Sequence, residues 1–159
     1  MVLEVIMEKW VRVRPTKDEY FMQLALDVAQ RSSDPKTQVG SVIVDVNDRV
    51  VSTGYNGTPR GFDECTIDWL DRDSIYPIVI HSEINAILYT GSRYEGSKLY
   101  VTLSPCKECI KVVSAAGIKK VIFKDKYKDY DIVKVLAERL NVQLVQFEGK
   151  LNGQEKTYV

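Results

Sequence analysis

An α/β layered domain is the fold class that this sequence predicts, and three observations predict it. Helical apolar spacing and short apolar runs alternate in the order helix, strand, strand, helix, strand, helix, strand, helix, strand. The 159 residues, 45% of them hydrophobic, match one ordinary domain with a sizeable core. No internal repeat, linker or low-complexity segment divides them, so residues 1–159 are expected to form a single domain, with 1–14 as an N-terminal extension.

Within that extension, V-R-V-R reads equally as a short edge strand, an amphipathic turn or a loose terminus. Thr16 is expected to cap a first helix over D-E-Y-F-M-Q-L-A-L-D-V-A-Q, whose Phe21, Leu24, Ala25, Val28 and Ala29 recur at helical spacing. R-S-S-D-P-K-T-Q-V-G then supplies a turn at Asp34-Pro35 and polar side chains suited either to a solvated connector or to an anion-binding loop. V-G-S-V-I-V-D and R-V-V-S-T-G-Y-N read as the two strands of a hairpin about the turn V-N-D.

The 23 residues from Thr58 to Ile80 form a connection longer than a compact domain usually needs. They read as a lid, a regulatory loop or an oligomer contact, or as the cover of a short helix near D-W-L-D-R. A helix is expected from His81 to Thr90, with Ile84, Ile87 and Leu88 on its apolar face and His81 and Glu83 in its first turn. The strand K-L-Y-V-T-L follows, then a helix from P-C-K-E-C that stops near Gly117. The strand K-K-V-I-F, a helix with Ile132, Val133, Leu136 and Leu140 on its packed side, and a strand V-Q-L-V-Q-F complete the pattern before a polar tail.

Twenty-two basic and 22 acidic residues cancel, so total charge gives no sign of an extended nucleic-acid surface. A small anionic substrate stays open, because it needs only a few local donors. Three cysteines, two close together and Cys65 distant, make a poor disulfide framework and suit a reducing compartment. With neither a secretion-signal pattern nor an apolar run of roughly 18 to 20 residues, a cytoplasmic protein with no membrane partner is expected.

His81 is the only histidine in the chain, and Cys106 and Cys109 form a C-x-x-C pair one helical turn apart. Three such donors leave a fourth tetrahedral position on zinc open for water, whereas four protein donors usually close a structural site. Glu83, two residues beyond His81, could move protons beside the metal without filling that position. Two alternatives compete with catalytic zinc: Cys65 closing a structural site, and a redox-active dithiol, which leaves His81 and Glu83 unexplained.

H-S-E at 81–83 and S-P-C-K-E-C at 104–109 resemble the H-x-E and P-C-x-x-C signature of the zinc-dependent cytidine and deoxycytidylate deaminases. S-S-D-P-K-T-Q-V-G, G-Y-N-G-T-P-R-G-F, H-S-E-I-N-A-I and A-G-I-K-K-V-I-F extend the similarity, over roughly residues 16–147, to deoxycytidylate deaminases of bacteriophage and eukaryotic type. That resemblance implies a three-layer domain with a central mixed sheet of about five strands flanked by helices. It implies one catalytic Zn2+ per subunit on His81, Cys106 and Cys109, with Glu83 as proton shuttle in the hydrolysis of dCMP to dUMP and ammonia.

The Ser104 carbonyl, preceding a proline, is expected to accept the substrate amino group, and Asn56 resembles the residue holding the sugar hydroxyl and ring edge. By similarity the 5′-phosphate falls to Arg31, Ser33 and Lys36, with Lys126 or Tyr127 closing over the nucleotide. Gly54, Tyr55, Gly57 and Arg60 resemble part of an allosteric region at which dCTP, with Mg2+, activates and dTTP inhibits. A homohexamer in the cytoplasm, or host cytoplasm for a viral protein, completes the expectation. Ser82 stands where alanine is commoner in this family, and its small hydroxyl should fit. The rival functions are a bifunctional dCMP/dCTP deaminase, a nucleic-acid-editing deaminase and a nonenzymatic interaction module with structural zinc.

Overall fold

The computed structural model describes residues 13–89 and 94–152. Helix α1 (Lys17–Ala29) begins at Thr16, whose hydroxyl accepts the Glu19 N–H while the Glu19 carboxylate accepts the Thr16 N–H, a reciprocal capping box. A hairpin follows, β1 (Gly40–Val44) and β2 (Val50–Tyr55). Its turn is held by the Asp45 carboxylate, which accepts the N–H groups of Asn47 and Arg49.

The long connection contains a 3-10 turn (Glu64–Thr66) and a short helix α2 (Arg72–Ile75). The remaining elements are α3 (Ser82–Leu88), β3 (Lys98–Leu103), α4 (Lys107–Ala115), β4 (Lys120–Asp125), α5 (Tyr130–Arg139) and β5 (Gln143–Gln146). At the end of α4, Gly117 takes φ 90°, while its N–H donates to Ser114 and that of Ile118 to Val113. This paired closure is the chemical reason the helix stops there.

The sheet order is β2-β1-β3-β4-β5, antiparallel across β2-β1-β3 and parallel across β3-β4-β5, so the expected mixed five-stranded sheet is present. Alternation along the strands divides the core in two. Val42, Val44, Tyr100 and Ile122 pack with Phe21, Met22 and Ala25 of α1. Ile43, Leu99, Val101, Val121 and Phe123 pack on the opposite face with Ala86, Ile110, Val113 and Val133 from α3, α4 and α5. Helices therefore cover both faces, as the α/β class requires.

Two expectations change, one on α3 and one on α5, and a third falls mostly outside the described residues. The V-R-V-R segment, read as a short edge strand, an amphipathic turn or a loose terminus, lies outside the described residues up to residue 12, and residues 13–16 are irregular. Leu88 is exposed and Ile132 is exposed, whereas Ala86 and Ala137 are buried. For α3 the cause is proximity: a Cβ added to Gly54 on β2 would stand 2.3 Å from Ser82 O and Ala86 N, so small residues, not Leu88, face the strand. Gly54→Ala is accordingly expected to lower unfolding stability by about 2–3 kcal/mol through overpacking, read from the urea midpoint. Among the described residues no helix is long and apolar enough to cross a membrane.

Candidate metal centre and its cleft

Strand direction gathers the site at one end of the sheet. Because β1 is antiparallel to both neighbours, its first residue, Gly40, lies opposite Tyr55 at the end of β2 and donates to the Thr102 hydroxyl near the end of β3. The chain leaves those strands through Asn56 and through Ser104-Pro105-Cys106 respectively. Reciprocal N–H to carbonyl bonds between Gly57 and Ile80 then bring His81 beside them, closing the base of the long connection. The resulting cleft lies at the carboxyl ends of the parallel strands, a usual location for ligands in open α/β sheets.

His81 is the N-cap residue of α3, yet its side chain makes no cap bond and turns to the cysteines instead. Cys106 is the N-cap of α4, its sulfur accepting the Cys109 N–H, and Cys109 lies one turn further on. His81 Nδ1 is 3.5 Å from Cys106 Sγ and 3.3 Å from Cys109 Sγ, and the three donor atoms all fall within 4.8 Å of one another. Tetrahedral zinc, with bonds of roughly 2.0 Å to nitrogen and 2.3 Å to sulfur, separates such donors by roughly 3.5 Å. The set therefore fits one zinc ion with a fourth position to spare. Cys65 is exposed and outside this cluster, so among the described residues no fourth donor closes the site.

The electrostatics agree with a metal-ready pair. A hydrogen bond from the Cys109 thiol lowers the Cys106 pKa to about 3, with His81 adding to the effect. The same bond, together with burial, pushes the Cys109 thiol up. His81 is raised, chiefly by its bond to Cys106 and against the effect of burial. A bound dication would displace the remaining thiol proton.

Glu83 is 3% exposed, and burial raises its carboxyl pKa above the usual range. The Ser82 hydroxyl donates to Glu83 Oε2 at 3.2 Å and lies 2.7 Å from the Ser41 hydroxyl, which answers how serine is accommodated between histidine and glutamate. The Ser104 hydroxyl accepts the Tyr127 N–H at 2.8 Å and the Ser104 N–H donates to Asp125, while its carbonyl accepts no hydrogen bond among the described residues. Asn56 Oδ1 accepts the Val39 N–H and its Nδ2 donates to the Thr37 carbonyl. That clamps the 37–39 backbone and leaves one donor hydrogen and one acceptor lone pair.

His81, Glu83, Cys106, Asn56, Ser104 and Tyr127 all line one cleft, whose free space including its mouth is about 630 Å³. Arg31 and Ser33 do not: they line a second cleft together with Gly54, Tyr55, Gly57 and Arg60. Lys36 is exposed and lines neither, and the Lys126 ammonium sits 4.7 Å from the Tyr130 ring centre. Asp34, Arg72 and Tyr76 line the metal-site cleft without having been singled out as site residues from sequence. Asp34 had a signal in its polar turn. Arg72 had none, because its place depends on how the 58–80 connection folds back.

A family model for the cytidine and deoxycytidylate deaminase zinc-binding region matches residues 15–125. Over 120 residues the chain is 46% identical to the Homo sapiens deoxycytidylate deaminase, covering 71% of this chain and 67% of that protein. It is 38% identical over 154 residues to the probable deoxycytidylate deaminase of Drosophila melanogaster, covering 88% of this chain and 74% of the relative. The crystal structure of dCMP deaminase from the cyanophage S-TIM5, in complex with dCMP and dUMP, superposes with a TM-score of 0.73 at 32% identity, covering 86% of this chain and 100% of that one.

Proposed function

From its membership in the cytidine and deoxycytidylate deaminase family, to which this chain belongs on a match spanning residues 15–125, we propose that it hydrolyses dCMP to dUMP and ammonia. The chain is a zinc-dependent deaminase of a cytidine- or deoxycytidylate-type substrate. One observation carries the reading: His81, Cys106, the buried Glu83 and Ser104 with its unbonded carbonyl line a single cleft, and Cys109 completes the donor cluster beside it. The choice of dCMP is supported by relatives of that activity at 46% and 32% identity.

Zinc, when bound, would supply Lewis-acid activation of water near neutral pH. Glu83 takes the proton that the water gives up and delivers it to N3 of the cytosine ring, making C4 accept the water oxygen. The same carboxylate then takes the remaining proton from the new C4 hydroxyl and passes it to the 4-amino group, so that the C4 carbonyl forms as the C4–N bond breaks and ammonia leaves. Burial equips Glu83 to hold that proton between transfers, because it disfavours the bare carboxylate. The Ser104 carbonyl orients the amino group by accepting one of its hydrogens, and the remaining valences of Asn56 serve the ring edge and sugar. Tyr127, tied to Ser104, closes over the nucleotide.

Regulation belongs to the second cleft. dCTP with Mg2+ as activator and dTTP as inhibitor would bind against Arg31, Ser33, Gly54, Tyr55, Gly57 and Arg60, and Gly54 connects that surface to α3, which carries Glu83. Exposed Val50, Val51, Tyr55, Leu88 and Tyr89 on and beside the edge strand β2 support assembly through this face, as in a homohexamer. Free cysteines suit the cytoplasm.

An ammonia assay over dCMP, dCTP, cytidine, deoxycytidine and a short single strand, each with and without dCTP or dTTP as effector, tests the substrate and the regulation together. dCMP is expected to dominate, with dCTP raising its rate and dTTP lowering it. Comparable dCMP and dCTP rates would instead make the enzyme bifunctional, and turnover confined to the single strand would make it a nucleic-acid editor.

A further inference from the structure

We propose that Arg72, fixed by the buried carboxylate of Asp34, reads the substrate's 5′-phosphate and so makes the site select a nucleotide over a nucleoside. This rests on the deaminase reading above and assigns the part of it that chemistry at the ring cannot supply.

Apart from the metal ligand His81, Arg72 is the one basic side chain among the described residues lining the metal-site cleft. Its Nη1 donates to Asp34 Oδ1 at 3.0 Å and lies 2.9 Å from Oδ2. Asp34 is only 2% exposed, and its Oδ1 also accepts the N–H groups of Lys36 and Thr37. The carboxylate is therefore satisfied by its own turn as well as by the arginine. The guanidinium is not: among the described residues Nε and Nη2 have no hydrogen-bond partner, although the side chain is only 29% exposed. A planar fork anchored at one nitrogen and open at the others is suited to phosphate oxygens.

The anchor is also in register with the reacting end of the cleft. The Ser32 hydroxyl donates to the Asn56 carbonyl at 2.8 Å and accepts the Asp34 N–H, while the Asn56 amide holds Thr37 and Val39. Asp34 and Asn56 thus belong to one bonded unit, which sets the position of Arg72 relative to the ring and sugar. Lys128 adds a second positive charge near two of the cleft's lining residues, its ammonium 5.7 Å from the Tyr76 ring centre and 5.5 Å from that of Tyr127. This surplus of positive charge over Asp34 favours an anion there.

The rival account is that the Arg72–Asp34 pair merely ties the 58–80 connection to the 32–38 loop, and two substrates differing only in phosphate separate the accounts. For Arg72→Gln in the zinc-loaded protein, kcat/KM for dCMP is expected to fall about 100-fold, mostly through KM, with that for deoxycytidine within about twofold of wild type. Inhibition by dUMP should weaken by a similar factor and inhibition by deoxyuridine should not, while Arg72→Lys should recover part of the loss. Because Arg72→Gln leaves Asp34 buried without its partner, the double variant Asp34→Asn/Arg72→Gln repeats the comparison with both charges gone and should show the same selective loss. Equal losses on both substrates, or an unchanged dCMP rate in folded variant, would overturn the proposal. Wild-type protein inert towards both substrates would instead overturn the deaminase reading on which it stands.

Discussion

Glu83→Gln is expected to lower dCMP turnover by about 10³-fold or more while leaving zinc bound and the fold intact, since general acid–base transfer by one group contributes roughly 10²–10⁴ and here one carboxyl serves several transfers. Glutamine keeps the shape but can neither take nor give the proton. Stability should move the other way. Burial raises the Glu83 pKa, so in the metal-free protein its stability contribution is fully favourable below the ordinary carboxylate range and is lost as pH rises through the raised pKa. Metal-free Glu83→Gln escapes that loss, and its thermal midpoint at pH 8 should equal or exceed that of metal-free wild type, with the difference shrinking at pH 4. An active variant that retains zinc would remove Glu83 from the mechanism.

Cys109→Ser carries the second large effect. Cys109 is 2% exposed and supplies one of the three clustered donors among the described residues, so its replacement by a hydroxyl, which is a poor ligand at neutral pH, should abolish stoichiometric zinc binding at micromolar metal and reduce turnover by at least about 10³-fold. The fold should survive. Both core clusters form mainly from sheet and helix side chains beyond the ligands, although Val39 and Leu103 reach the metal-site cleft and Cys109 adjoins Ile110 and Val113 on α4. Zinc content by elemental analysis, read beside far-UV circular dichroism, separates this from the structural-zinc alternative, in which loss of metal unfolds the chain.

The element order, the capping of α1 at Thr16, the stop at Gly117 and the ligand triad were legible because each is written locally, in periodicity, cap chemistry or C-x-x-C spacing. The turned face of α3 was not, because Leu88 looks like core until Gly54, 34 positions away, is seen to demand a small neighbour. The cations were the hardest to place. Arg31, Lys36 and Lys126 lie in motifs that stand out in sequence, yet the cleft is lined by Arg72, which arrives there through the Gly57–Ile80 bridge and the ion pair with Asp34. Local pattern names the chemistry of a side chain, whereas long-range closure decides which cleft it serves.

The central claim is that His81, Cys106, Cys109 and Glu83 make this chain a zinc-dependent dCMP deaminase, and a zinc titration of the metal-free protein with dCMP present tests it most directly. Ammonia and dUMP should appear in equal amounts, at a rate that rises with added zinc and levels off at one ion per chain. Folded protein carrying one zinc per chain that releases no ammonia from dCMP would contradict the account.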